Sequence, residues 1–192
     1  MAPKVKITKQ DIIDKALEIV RESGDSGINA RSIAAALGCS TQPIFSNFNS
    51  MEEIEESVLL AAYNRYQRFI SSEVQSGKYP KYKAFGMSYV RFAKEEKELF
   101  KMLFMCDKQK AVLLPTAEFD SSVEMIVEAN GISYERAKLM HLEMWACVHG
   151  IATMLATSFF TPDWETISIM LTDMYHGLRE KHIKEENQNG GN

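Results

Sequence analysis

Apolar residues recur along this chain at helical intervals of three and four, and no stretch alternates with the period of two that marks a half-buried strand. Thr8 stands where a first helix is capped, with Asp11 completing a near capping box. Ile12, Ile13, Ala16, Leu17 and Val20 form one apolar stripe that Gly24 ends. Asn29 suits the cap of a second helix carrying Ile33, Ala34 and Leu37, stopped by Gly38. Ser40 can cap a third, with Ile44 and Phe48 turned inward, and Ser50 with Glu53 forms a capping box for a long fourth helix that fades before Gly77.

The segment "FGMSYVRFAKEEKELFKMLFM" reads as one long helix or two abutting ones, with its "KEEKE" run a solvated face. "CDKQKAVLLP", which follows, reads as the most irregular stretch. A helix is expected from Thr116 to Asn130, stopped by Gly131, and a long one capped by Ser133 and reaching Phe159. Thr161 as cap and Pro162 as first helical residue open a final helix to Lys184. Residues 186–192 are polar and expected to be disordered. The fold class expected is all-α, with about nine helices.

Residues 28–54, "INARSIAAALGCSTQPIFSNFNSMEEI", pose a question of economy. Two helices of about two turns each are marginal alone, so their geometry must serve something other than local stability. A helix, a tight turn containing glycine and a second helix make the helix-turn-helix unit, whose second helix enters the major groove of DNA. Ala34 and Ala35 are small where two helices must approach, and Gly38 accepts positive φ at the turn. Thr41, Gln42, Pro43, Phe45, Ser46 and Asn47 are then left on the turn and outward face. Gln can bond adenine bidentately, and Thr or Pro can pack a thymine methyl. Ser40 and the free N–H groups at the helix start can meet a phosphate. Pro43 in the first turn stiffens the reading end without losing an intrahelical bond.

The composition, 45% hydrophobic and 25% charged over 192 residues, is that of an ordinary globule able to bury a substantial core. The net charge of −4 argues at first against nucleic acid. Its distribution alters that: residues 1–50 hold six Lys or Arg against five acids, a net of +1, and the rest 16 against 21, a net of −5. Lys4, Lys6 and Lys9 all precede or open the first helix and can track a DNA backbone, with Arg31 further along. Three unpaired cysteines and the absence of an apolar leader in residues 1–11 suggest a reduced cytoplasmic setting. The apolar stretch from Trp145 to Phe160 is broken by His149, Gly150, Thr153, Thr157 and Ser158, so a buried helix is expected rather than a membrane span.

"ARSIAAALGCSTQPIFSNF" at residues 30–48, between an amphipathic first helix and a capped fourth, resembles the TetR-type transcriptional regulators. "SYVRFAKEEKELFKMLF" (88–104) and "WACVHGIATML" (145–155) look like that family's regulatory domain. The second is similar to the branch with a Trp-x-x-x-His-Gly signature, here Trp145, His149 and Gly150. The resemblance implies a helix-turn-helix DNA-binding domain over residues 1–50 and a helical ligand-binding and dimerisation domain over 51–185. It further implies a homodimer joined through the last two long helices of each subunit. A small-molecule effector would change the separation of the two reading heads and release a repressor from a palindromic operator in double-stranded DNA. By position, Thr41, Gln42 and Pro43 would read bases while Phe45, Ser46 and Asn47 lie along the backbone. Two departures weaken the implied phosphate grip: Phe45 stands where the family often has Tyr, and Met51 where it often has Lys.

In the C-terminal half, Phe92, Phe100, Met102, Phe104, Met125, Met140, Met144 and Trp145, with His141 as an orienting polar group, make an apolar pocket for an apolar or amphipathic effector, since Met adapts to varied shapes. Val148, Ile151 and Leu155, with Ile167, Met170, Leu171, Met174 and Leu178 of the final helix, are the candidate dimer interface. The same stripes would also suit the core of a monomer. His141 and His149 are two turns apart, too far to share a metal, so neither a metal nor another cofactor is expected. No nucleophile–base spacing or Gly-rich phosphate loop points to an enzyme. The rival to the regulator is a helical dimer acting through protein contacts with weak or no operator specificity.

Overall fold

A computed structural model describes residues 7–106 and 117–189. Among these it contains nine α-helices, one short 3₁₀ turn and no strand. The helices are α1 (Lys9–Ser23), α2 (Ala30–Ala36), α3 (Gln42–Asn47), α4 (Met51–Gln75), α5 (Lys81–Glu95), α6 (Lys97–Phe104), α7 (Ala117–Asn130), α8 (Tyr134–Ala156) and α9 (Trp164–Asn189). The all-α expectation holds. The expected irregular stretch, residues 106–115, lies outside the described residues except for Cys106.

The chain forms two compact units, residues 1–67 with 96–113, and residues 68–95 with 114–192. In the first, the α1 capping box is complete: Thr8 N–H donates to Asp11 Oδ2 at 2.8 Å and Asp11 N–H to Thr8 Oγ1 at 3.2 Å. Ile12, Ala16 and Val20 are fully buried, with Ile33, Ile44, Phe48, Ile54 and Val58. Leu99, Phe100 and Leu103 of α6 are buried in the same unit, and α1 packs on α6.

The charge run read as solvated holds a buried group. Glu96 interrupts the helix with φ −126° and ψ 56°, separating α5 from α6, and is only 5% exposed. Arg21 of α1 donates to its carboxylate from Nε at 2.7 Å and Nη2 at 3.0 Å, and Arg65 of α4 from Nε at 2.8 Å and Nη2 at 2.6 Å. Two guanidinium groups on one carboxylate satisfy a charge that is otherwise costly to bury. A charge run on a helix gives no sign that one member is turned inward by a break.

In the second unit, α8 packs against α5, α7 and α9. It is long and apolar enough, by length and composition, to cross a membrane. Its Ala137, Met140, Met144, Val148, Ile151, Ala152 and Leu155 are instead buried against those neighbours. It ends at Ala156, three residues earlier than expected, where Ser158 takes positive φ. Two further termini differ from expectation. The final helix starts at Trp164, with Asp163 Oδ1 accepting from Thr166 N–H at 2.7 Å, in place of a start at Thr161 and Pro162. It continues to Asn189 through part of the tail expected to be disordered, because Glu185 and Glu186 have partners: Arg136 pairs with both, and Glu186 accepts from Ser133 N–H at 3.0 Å. Ser133 makes no side-chain cap of its own; Glu186 meets the start of α8 from another helix.

Candidate functional site

α2 and α3 form two short helices joined by a turn, in the first unit. Asn29 Oδ1 accepts from the N–H groups of Arg31 and Ser32, at 3.0 and 2.9 Å, and Ser32 Oγ accepts in return from Asn29 N–H, fixing the start of α2. Gly38 at φ 64° ends it, and a Cβ there would meet nothing, so the constraint is backbone conformation alone. Of the two alanines expected at the helix crossing, Ala34 is buried and Ala35 is exposed. α3 begins at Gln42 with Pro43 in its first turn. Thr41 rather than Ser40 holds the cap position, without a side-chain cap bond. Ile44 and Phe48 anchor the helix inward.

The expected DNA-contact residues fall into two groups. Arg31, Ser40, Gln42 and Phe45 are exposed, Phe45 at 52%, and Thr41 and Pro43 are half-buried on the turn. The others already have partners in the head. Ser46 Oγ donates to Gln42 C=O at 2.8 Å. Asn47 Nδ2 donates to Pro43 C=O at 2.7 Å and reaches Ile7 C=O at 3.4 Å, bringing the start of α1 beside the end of α3. Lys9 Nζ lies 2.6 Å from Glu53 Oε1 and 4.5 Å above the Phe48 ring centre. Lys4 and Lys6 lie outside the described residues.

Glu53 itself differs from the expected reciprocal capping box. Its N–H donates to Ser50 Oγ at 3.3 Å, but its carboxylate accepts from Asn49 N–H at 2.8 Å and Asn49 Nδ2 at 2.9 Å. The Asn49 N–H bond, then Lys9, hold this carboxyl below the ordinary range, so it stays ionised at neutral pH.

The expected effector-pocket residues divide between the units. Phe100 is buried in the first, where Met102 and Phe104 are half-buried. Phe92, Met140 and Met144 are buried in the second, Met125 and His141 half-buried, and Trp145 is 48% exposed. Within the second unit two Tyr–His pairs join α5 to α8. Tyr82 Oη lies 2.9 Å from His141 Nδ1, whose ring meets Phe119 edge-on, and Tyr175 packs beside Tyr82 and bonds Asn130. Two turns along, Tyr89 Oη lies 2.9 Å from His149 Nδ1, with Trp145 stacked on that imidazole. Burial pushes both phenols up and both imidazoles down, so each pair sets a protonated phenol beside an imidazole that resists protonation. Tyr82, Tyr89, Phe119, Asn130 and Tyr175 were not among the expected site residues. The repeat of Tyr at seven and His at eight residues was the available signal.

The expected dimer-interface residues divide too. Val148, Ile151, Leu155, Ile167 and Leu171 are buried inside the unit, and Leu178 packs partly buried against the core around Met140. Met170 and Met174 are exposed, as are Leu139, Leu142 and Trp145 of α8. Periodicity finds an apolar stripe but cannot tell its inward half from its outward half when a helix is apolar on both.

Residues 82–174, from α5 into α9, match the family model described as "Tetracyclin repressor-like, C-terminal domain". The match supports a place among TetR-like transcriptional regulators and leaves out α1–α4. No curated protein matches the chain.

Proposed function

We propose that this chain is a DNA-binding transcriptional regulator of the TetR family, a homodimeric cytoplasmic repressor released from a palindromic operator by a small-molecule effector. The observation that carries this reading is a short helix-turn-helix with an exposed reading face, α2 and α3, in the same chain as a tetracyclin repressor-like C-terminal domain. Thr41, Gln42 and Pro43 are the base readers, an amide for adenine and apolar groups for thymine methyls, and the exposed Phe45 lies along the backbone. Ser40 and Arg31 are the phosphate contacts beside them.

The effector enters the second unit among Met140, Met144, Met125 and the Tyr82–His141 pair, an environment suited to an apolar molecule with one polar group. Dimerisation uses the open faces of α8 and α9, with Leu139, Leu142, Trp145, Met170 and Met174 as the apolar anchors. The Trp-x-x-x-His-Gly branch is part of this proposal, supported by the Trp145–His149 stack.

The test is selection of bound fragments from the source genome by the purified protein at about 50 and 200 mM salt. Recovery of a palindrome with half-sites about one helical turn apart, surviving the higher salt, is the expected result. Sequence-blind recovery that vanishes at the higher salt would overturn operator recognition in favour of a role through protein contacts.

A further inference from the structure

The start of α1 carries a lysine beside the end of the reading helix, yet that lysine is already neutralised. Lys9 Nζ makes a 2.6 Å ion pair with Glu53 Oε1 across 44 residues of sequence, and its charge lies over the Phe48 ring. Glu53 is not free to swing away, since its second oxygen accepts two hydrogen bonds from Asn49. The carboxylate is therefore held by its own scaffold whether or not Lys9 stays on it. Lys9 is half exposed and Glu53 about a third exposed, so solvent and an incoming anion can reach both. A phosphate can claim Lys9 only by displacing a carboxylate that stays behind as a like charge.

We infer that Glu53 is an internal counter-ion for Lys9, holding it away from DNA phosphate, and that this pair suppresses binding to bulk DNA so that base contacts from α3 decide where the protein sits. The inference rests on the DNA-binding reading and assigns that surface a specificity-determining residue. Non-specific affinity comes from cations that release counter-ions from the phosphate backbone. A cation neutralised within the head withholds its share of that affinity from every sequence alike, and the base contacts are untouched. The specificity ratio rises without any added base contact.

Glu53→Gln tests this, because a Gln oxygen can still accept from Asn49 while the charge is lost. The probe is a labelled random-sequence duplex, titrated with the full-length wild type, Glu53→Gln, Lys9→Met and the double variant from about 50 to 200 mM salt. Glu53→Gln is expected to bind the duplex about two- to fivefold tighter at the lower salt, the worth of an exposed ion pair. Its salt slope should steepen by about 0.9, one further phosphate neutralised. Both gains should vanish in the double variant. Unchanged affinity and slope in Glu53→Gln would overturn the inference, and so would a gain that persists without Lys9, since the carboxylate would then repel DNA directly. Glu53→Ala carries the same expectation if Gln disturbs the turn, with a thermal melt confirming the fold. These outcomes are independent of operator selection. A wild type that selects no palindrome sinks the operator reading whatever Glu53 does, and a wild type that selects one leaves the Glu53 comparison to stand or fall alone.

Discussion

The two units of this chain use polar side chains in opposite ways. In the helix-turn-helix head they bond to their own neighbourhood: Thr8 with Asp11, Asn29 with Ser32, Ser46 with Gln42 and Asn47 with Pro43, all within four residues. In the second unit they join helices far apart in sequence: Tyr82 with His141, Tyr89 with His149, Lys83 with Ser168 and Thr172, and His182 with Glu143. Short helices cannot hold themselves together by length, so each end is tied locally and the head keeps its angle. Long helices need no such help, and their polar groups set the register of one against another. A head built of local ties should lose shape in small steps, and a core built of cross-links should fail as a whole.

The largest expected effect tests the cooperative side. Phe92 of α5 is fully buried in the second unit, in edge contact with Phe69. Phe92→Ala should cost about 3–5 kcal/mol, read as a lower urea midpoint for the second unit. Loss of the α5, α8 and α9 amide protection together, in hydrogen exchange, would confirm cooperativity. Loss confined to α5 would break the comparison.

Glu96 and the Lys9–Glu53 pair are the exceptions that sharpen it, long-range ties in the head. Glu96→Gln removes the one carboxylate that Arg21 and Arg65 share, leaving Arg21 only the more distant charges of Glu18 and Glu22. The cost should be about 2 kcal/mol, below that of a fully buried ion pair because both arginines are partly exposed to solvent. Exchange should rise in α1 and α6, and a change restricted to the α5–α6 break would show that the arginines have other support. By contrast, Asn29→Ala removes only a local cap and should cost about 1 kcal/mol, with exchange rising in α2 and nowhere beyond.

The same contrast explains what was legible in the sequence. Thr8, Asn29 and Gly38 announce themselves because a cap or a positive-φ turn is decided by residues next to it. The helices of the head, and the exposed reading positions around Gln42, follow directly. Glu96 lies in a run of charges that looks solvated, and only the fold brings two arginines to it. Glu186 capping α8, which keeps α9 helical beyond its expected end, depends on a residue 53 positions from Ser133. His182 is fully buried against Glu143 with nothing in its polar surroundings to mark it. Likewise the stripe from Val148 to Leu171 was visible as apolar, but which half turns inward is fixed by the neighbouring helix. Sequence shows local ties and hides cross-links, so the head was legible where the core was not.

The smallest expected effect is one of pH. Burial depresses the pKa of His141 and of His149 below the ordinary 6.5, so the folded state favours neutral rings hydrogen-bonded to Tyr82 and Tyr89. The unfolded chain takes up protons on these histidines near pH 6.5, and the folded chain does so only at lower pH. Between those values the unfolded state binds more protons, and stability therefore falls as pH falls. The contribution is fully present above pH 6.5 and is lost progressively as pH drops through the folded-state values. Urea denaturation of the second unit from pH 7.5 down to about 5 should show this decline. It should flatten in His141→Gln and His149→Gln, which keep an acceptor for the tyrosines but cannot be protonated. An unaltered slope in both variants would assign the pH dependence to other groups. The Tyr–His pairs would then be register markers whose charge state the fold does not feel.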